Sequence, residues 1–130
     1  MIACIVAIVL LIAADQAVKF WIVAHLAKGA SAPVLPGFVE LLRVHNYGAA
    51  WSSFSGMRWF LIILTSVLMV ILAVVLVKKI VRHPLGRTAL VLILAGGIGN
   101  LIDRVRLGYV VDMINFQFMS YPVFNVADIC

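Results

Sequence analysis

The chain has 130 residues, 65% of them hydrophobic and only 12% charged, with a mean hydropathy of +1.19 and a formal net charge of +5. That apolar share lies well above what a soluble domain carries, so a soluble globular fold is excluded and the chain is read as an integral membrane protein. A positive balance would suggest nucleic acid in a soluble chain; here the cations flank apolar runs, as membrane orientation demands, and with no basic face or aromatic platform no nucleic-acid partner is expected.

Residues 1–14 are almost wholly apolar, Asp15 and Gln16 interrupt, and residues 18–24 resume around Lys19. A secretory signal would open on a basic region, which is missing, so the stretch of about 2–24 is read as a first span. Asp15 and Lys19 stand at i and i+4, where they can meet on one helix face as a neutralised intramembrane pair. Cys4 is a small hydrophobe in that helix, and no metal-ligand spacing surrounds it or Cys130. The missing basic start also suggests that the natural N-terminus lies a few residues upstream.

Residues 26–57 change character. Gly29, Ser31, Pro33, Pro36 and Gly37 break helix, and residues 38–44 read as a short strand or an interfacial segment. Asn46 alone is a turn residue, and Trp51, Phe54, Trp59 and Phe60 fit an aromatic belt. The second span, about 59–77, is followed by Lys78, Lys79, Arg82 and Arg87 in a loop, 78–87, that holds no acid. Such an excess of cations marks the cytoplasmic side, which makes segments 26–57 and 104–122 extracytoplasmic.

The third span, about 88–103, runs into Gly96-Gly97-Ile98-Gly99-Asn100-Leu101-Ile102-Asp103-Arg104. Ala95 and Gly99 form a small-xxx-small pair that admits close approach of another helix. No lysine follows these glycines and no strand precedes them, so a phosphate loop is set aside. Residues 109–111 are β-prone and lead to Asp112, which is expected on a loop free to approach its partners. Residues 118–122 turn the chain back, and a fourth span opens at about 123–130.

This threading sends the acids to one side. Asp15 lies toward the outer end of the first span, Asp103 ends the third, Asp112 is in the outer loop and Asp128 begins the fourth. Carboxylates at the edge of a bilayer are costly and call for a function. Asn100 with Asp103, and Asn125 with Asp128, repeat an i, i+3 spacing that sets an amide beside a carboxylate on a helix. Two aspartates that share a site cannot both ionise, so one can activate water while the other protonates a carbonyl oxygen. Asp112 and Asp128 are the expected dyad; Asp103 is expected to pair with Arg104. His25, His45 and His83 have no metal spacing, and no elbow supports a serine nucleophile, so neither a metal nor a cofactor is expected.

At these residues the chain resembles the bacterial lipoprotein signal peptidases (signal peptidase II). The resemblance is carried by Asp15-Gln16 with Lys19, by residues 46–52, by the glycine-rich run through Arg104, by Gly108-Tyr109-Val110-Val111-Asp112 and by Phe124-Asn125-Val126-Ala127-Asp128, in family order. It implies a single membrane-embedded peptidase domain over residues 1–130: an all-α, four-span membrane fold with a small extracytoplasmic β-platform and surface helix. It further implies an aspartic endopeptidase of the bacterial inner membrane, its site facing outward, that cuts prolipoproteins before a diacylglyceryl-bearing cysteine.

By the same resemblance Asp112 and Asp128 are catalytic, Asn46, Gly48, Asn100, Arg104 and Asn125 hold substrate, and Asp15, Lys19 and Asp103 give structural support. Lipid-modified prolipoprotein and membrane lipid are the partners implied, with the enzyme a monomer. Relatives in that family continue their fourth span past the Asn-x-x-Asp block, so the expectation is that these 130 residues are a fragment of a longer protein and inactive in this form. The rival classes are a small ion-coupled transporter using Asp15 and a non-catalytic membrane assembly factor.

Overall fold

The computed structural model describes residues 1–130, the side chain of Ser52 excepted. Its elements are helix α1 (Ile2–His25), strands β1 (Ser31–Leu35) and β2 (Val39–Asn46), helices α2 (Arg58–Val77) and α3 (Pro84–Arg106), strand β3 (Val110–Phe116) and a short helix α4 (Val126–Ile129). A single 3-10 turn, Ala50–Ser52, stands where a surface helix is expected. Helices α1, α2 and α3 are long and apolar enough to cross a membrane. The expected architecture of membrane helices, a small β-platform and a fourth helix is therefore present, although the β component is a true three-stranded sheet.

Helix α3 is the centre of the bundle, packed against α1 on one side and α2 on the other. Pro84 opens it, where its missing N–H costs nothing. At the end away from the sheet, Leu76, Leu90, Val91 and Leu94 form a core joined by Cys4, Ile8, Leu11 and Leu72. Large apolar side chains such as Ile2, Val9, Phe20, Val70 and Ile71 face outward, which suits a hydrocarbon solvent rather than water.

The small residues of α3 serve the approach anticipated for them. A side-chain carbon added at Gly99 would lie 2.8 Å from Asp15 Oδ2 and 3.3 Å from Ala127 Cβ. Gly96 lies directly beneath the Ala127 carbonyl. Both α1 and α4 thus reach the backbone of α3, as short side chains permit.

The sheet caps the other end of the bundle. Its order is β1-β2-β3, antiparallel throughout. Ile22 from α1 packs with Val111 and Met113 from β3 in a second buried cluster that also takes up Leu26, Leu41 and Ile114. The sheet is anchored by that cluster to the end of α1.

Candidate active site

Asp112 lies in the middle of β3. Val44 of β2 pairs with it, and Asn46 pairs with Val110. Val110, Val111 and Met113 around it are buried, and Asp112 itself is 2% exposed. The sequence expectation of a mobile loop is corrected here: the β-branched run 110–111 finds a partner strand, and pairing fixes the carboxylate in place.

Two amides hold that carboxylate. Asn46 Nδ2 donates to Asp112 Oδ2 at 3.0 Å, and Asn125 Nδ2 donates to Asp112 Oδ1 at 2.6 Å. The amides cannot be turned round, because their oxygens accept from backbone N–H groups: Gly48 N on Asn46 Oδ1 at 2.9 Å and Asp128 N on Asn125 Oδ1 at 3.0 Å. A backbone N–H only donates, so each NH2 end must face Asp112. Burial pushes the Asp112 carboxyl up to about 6; the Asn46 and Asn125 amides draw it down, the Asp128 charge raises it and Lys19 lowers it.

Asp128 arrives by a different route. After residues 117–123 the chain returns antiparallel to β3, with Phe124 and Ile114 exchanging backbone hydrogen bonds of 2.8 and 3.1 Å. That bridge sets Asn125 beside Asp112 and starts α4. Asn125 and Asp128 then form a reciprocal capping box, in which the Asn125 N–H donates to Asp128 Oδ2 at 3.1 Å. Asn100 Nδ2 donates to Asp128 Oδ1 at 2.8 Å. Asp128 is exposed, whereas Asp112 is buried.

Both aspartates line one cavity of about 710 Å³, with Asn46, Asn100 and Arg104 beside them and Trp51, Tyr121 and Phe124 on its wall. Arg104 Nη2 donates to the Gly48 carbonyl at 3.0 Å, tying α3 to the turn after β2. Of the residues singled out from the sequence, Gly48 therefore acts through its backbone, as the partner of both Asn46 and Arg104.

Asp15, Lys19 and Asp103 form a separate buried group. Lys19 Nζ lies 2.9 Å from Asp15 Oδ2 and 3.1 Å from Asp103 Oδ2, with all three side chains almost fully covered. The expected Asp103–Arg104 pair is replaced by this one, since consecutive helix positions point about 100° apart. Asn100 likewise bonds not Asp103 but Asp128, Asn125 and Lys19.

Two contributors escape a sequence reading. Gln16 Nε2 donates to Asp15, to Asp103 and to the Gly99 carbonyl at 3.0–3.2 Å. An amide inside an apolar span was its available signal. Arg58 donates to the carbonyls of Arg104 and Val105 at 2.9 and 2.8 Å, closing the end of α3; nothing in its local sequence announces this.

His45 also borders the cavity, stacked on Tyr109 with ring centroids 3.9 Å apart, and burial with the Arg43 and Lys28 charges lowers its pKa. Among the described residues no group of three His, Cys, Asp or Glu is placed to hold a metal ion. What remains is a buried carboxyl that holds its proton to higher pH and an open carboxylate, joined through Asn125 and facing one cavity. Such a pair can combine a general acid with a general base.

The family model described as Signal peptidase (SPase) II matches residues 7–130. The chain is 46% identical over 127 residues to the lipoprotein signal peptidase of Lactococcus lactis subsp. lactis (strain IL1403), covering 96% of this chain and 83% of that one. It is 44% identical over 128 residues to the lipoprotein signal peptidase of Streptococcus pyogenes serotype M2 (strain MGAS10270), covering 95% and 82%. Among solved structures it is similar to a bacterial membrane enzyme determined by the in meso method at 2.3 Å resolution, with a TM-score of 0.92, 33% identity, and coverage of 98% of this chain and 79% of the other.

Proposed function

Because the chain belongs to the signal peptidase II family, and is an aspartic peptidase that removes signal peptides from prolipoproteins, we propose that Asp112 and Asp128 are its catalytic dyad. Asp112, buried and raised to about 6, carries the shared proton. Its neighbours Asn46 and Asn125 present only N–H groups to it, so neither amide can accept that proton. Asp128, open to that cavity, is the ionised base.

A water between the two is deprotonated by Asp128 as its oxygen attacks the scissile carbonyl carbon, while Asp112 protonates the carbonyl oxygen. The tetrahedral diol then collapses: Asp112 takes back the proton of one diol hydroxyl as the carbonyl re-forms, the C–N bond breaks, and the amine leaves with a proton returned from Asp128. Neither a metal nor a covalent intermediate is needed. Asn46, Asn100 and Arg104 border the cleft where the peptide would lie, whereas Asn125 is fully buried and reaches it only through its hydrogen bond to Asp112. The cut falls before the lipid-bearing cysteine, whose acyl chains stay in the surrounding bilayer.

The proposed placement is a multi-pass monomer in the bacterial inner membrane. Segments 26–57 and 104–122, and with them the site, face the extracytoplasmic side, and the loop 78–87 with its four cations faces the cytoplasm. The observation that carries the dyad is that, among the described residues, Asn125 alone donates to both carboxylates. Asp15, by contrast, is 2% exposed and committed to Lys19 and to the backbone of α4, which leaves it no path as a transport site.

The test is cleavage of a diacylglyceryl-modified precursor peptide by the purified protein in lipid–detergent micelles. Asp112→Asn and Asp128→Asn should each abolish product; near-normal turnover by either folded variant rejects the dyad.

A further inference from the structure

The bond pattern of the buried acids points past simple support. Asp103 Oδ2 accepts the backbone N–H of Val111 at 3.1 Å, and Val111 is the residue before Asp112. Asp15 Oδ1 accepts the backbone N–H of Ala127 at 2.9 Å, and Ala127 is the residue before Asp128. Each acid of the buried group therefore grips the main chain one residue ahead of one member of the dyad. The strand and the short helix that bear the dyad both pack against α3, and the bridge between Ile114 and Phe124 is the strand pairing that joins their segments.

Lys19 joins the two grips. Its ammonium has three N–H donors, and three acceptors surround it: Asp15 Oδ2 at 2.9 Å, Asp103 Oδ2 at 3.1 Å and Asn100 Oδ1 at 3.0 Å. The third contact turns the amide of Asn100 so that its Nδ2 must face Asp128. If the group served only to neutralise charge between helices, one acid would suffice for one cation. Here two carboxylates share one ammonium, and each also accepts a backbone N–H of its own. The second carboxylate has a reason if each must hold its own backbone N–H.

We propose that Lys19 is a positioning residue for the dyad: through Asp103 and Val111 it sets the place of Asp112, and through Asp15, Ala127 and Asn100 it sets the place of Asp128. The proposal rests on the assignment of those two aspartates as the dyad. Reacting groups must be held to within a fraction of an ångström, and a displacement of about 1 Å can cost a hundredfold in rate.

The discriminating variant is Lys19→Arg. A planar guanidinium keeps the charge but cannot offer three tetrahedral donors to these acceptors. Measured on the diacylglyceryl-modified precursor peptide, Lys19→Arg and Lys19→Met should lower kcat by about ten- to a hundredfold with KM within about threefold of wild type, because Lys19 itself is not among the residues lining the cavity. The same samples are checked for folding by thermal unfolding and size-exclusion profile. If Lys19→Arg does not fold, Asp103→Asn carries the test, since its amide oxygen still accepts the Val111 N–H while its link to Lys19 loses charge; the same loss in kcat is expected.

Wild-type kcat in a folded Lys19→Arg or Asp103→Asn protein overturns the proposal, as does a loss that only follows the folded fraction, or one expressed in KM alone. Asp112→Asn and Asp128→Asn run alongside separate the two claims. Should those remain active, the dyad assignment fails; should they be inactive while Lys19→Arg is normal, only the positioning role fails.

Discussion

Asn100 and Asn125 meet amide to amide, with Asn125 Nδ2 3.0 Å from Asn100 Oδ1. Asn100 comes from α3 and Asn125 from the cap of α4, and each sends its NH2 end to a carboxylate of the site. Asn100 is oriented by the Lys19 ammonium and Asn125 by the Asp128 backbone N–H. A fixed array of donors around two acids needs no reorganisation during reaction, which is where preorganised electrostatics gains its advantage.

Asn125→Ala removes the 2.6 Å donor to Asp112 and the cap of α4 together. Turnover of the precursor peptide should fall by roughly a hundredfold or more, and loss of the cap should cost about 1 kcal/mol in stability. Steady-state kinetics paired with thermal unfolding will separate the two, because a stability loss of that size leaves the protein folded at assay temperature.

The pH dependence follows from Asp112. With its carboxyl at about 6, the proposed dyad would lose its shared proton above that value, so kcat/KM should fall tenfold per pH unit on the alkaline side of about 6. Substrate that expels water from the cavity desolvates Asp112 further, so the matching limb in kcat should lie at higher pH. A flat profile from pH 5 to 8 would contradict this.

The same shift acts on folding. The folded-state pKa of Asp112 is raised from 3.8 to about 6, so the native state holds this proton more tightly than the unfolded chain. Its stabilising share is complete below 3.8 and is lost as pH rises through about 6, a change of up to about 3 kcal/mol. The unfolding temperature of wild type relative to Asp112→Asn should therefore decline between pH 4 and pH 7, a comparison that cancels the other titrating groups.

Gly99→Ala places a carbon 2.8 Å from Asp15 Oδ2 and 3.3 Å from Ala127 Cβ. Asp15 is held by Lys19 and cannot swing aside, so α1 or α4 must move. Overpacking of this kind costs about 1–3 kcal/mol, and displacement of Ala127 should carry Asp128 with it. A lowered unfolding temperature with a disproportionate loss of kcat is the expected result.

Arg58→Ala deletes two charged hydrogen bonds to the last carbonyls of α3. The expected loss is about 1–2 kcal/mol, with Arg58→Lys recovering only part because a point charge cannot serve both carbonyls. Thermal unfolding of the three proteins in one micelle system checks the order.

Hydrophobic runs and flanking cations made the membrane character and the helices legible from residues alone, since both depend on composition summed over a span. The Asp15–Lys19 pair was equally visible, because it is local to one helix face. Asp112 stood out as a candidate site residue but not as a strand residue: residues 109–111 are β-prone in isolation, and β2 supplies the strand pairing that fixes the carboxylate in place.

Asp103 shows the same limit in reverse. Its neighbour in sequence is Arg104, yet its partners are Lys19, 84 positions away in the chain, and the Val111 backbone. Sequence by itself thus determined which groups carry charge in an apolar chain and which helices they ride on, because those are properties of short segments in a uniform solvent. How deeply each acid is buried, which amide faces it and which cation bonds the acids behind it were decided only by tertiary structure. Desolvation and hydrogen-bond direction arise where α1, α3, β3 and α4 converge, and no segment contains that convergence on its own.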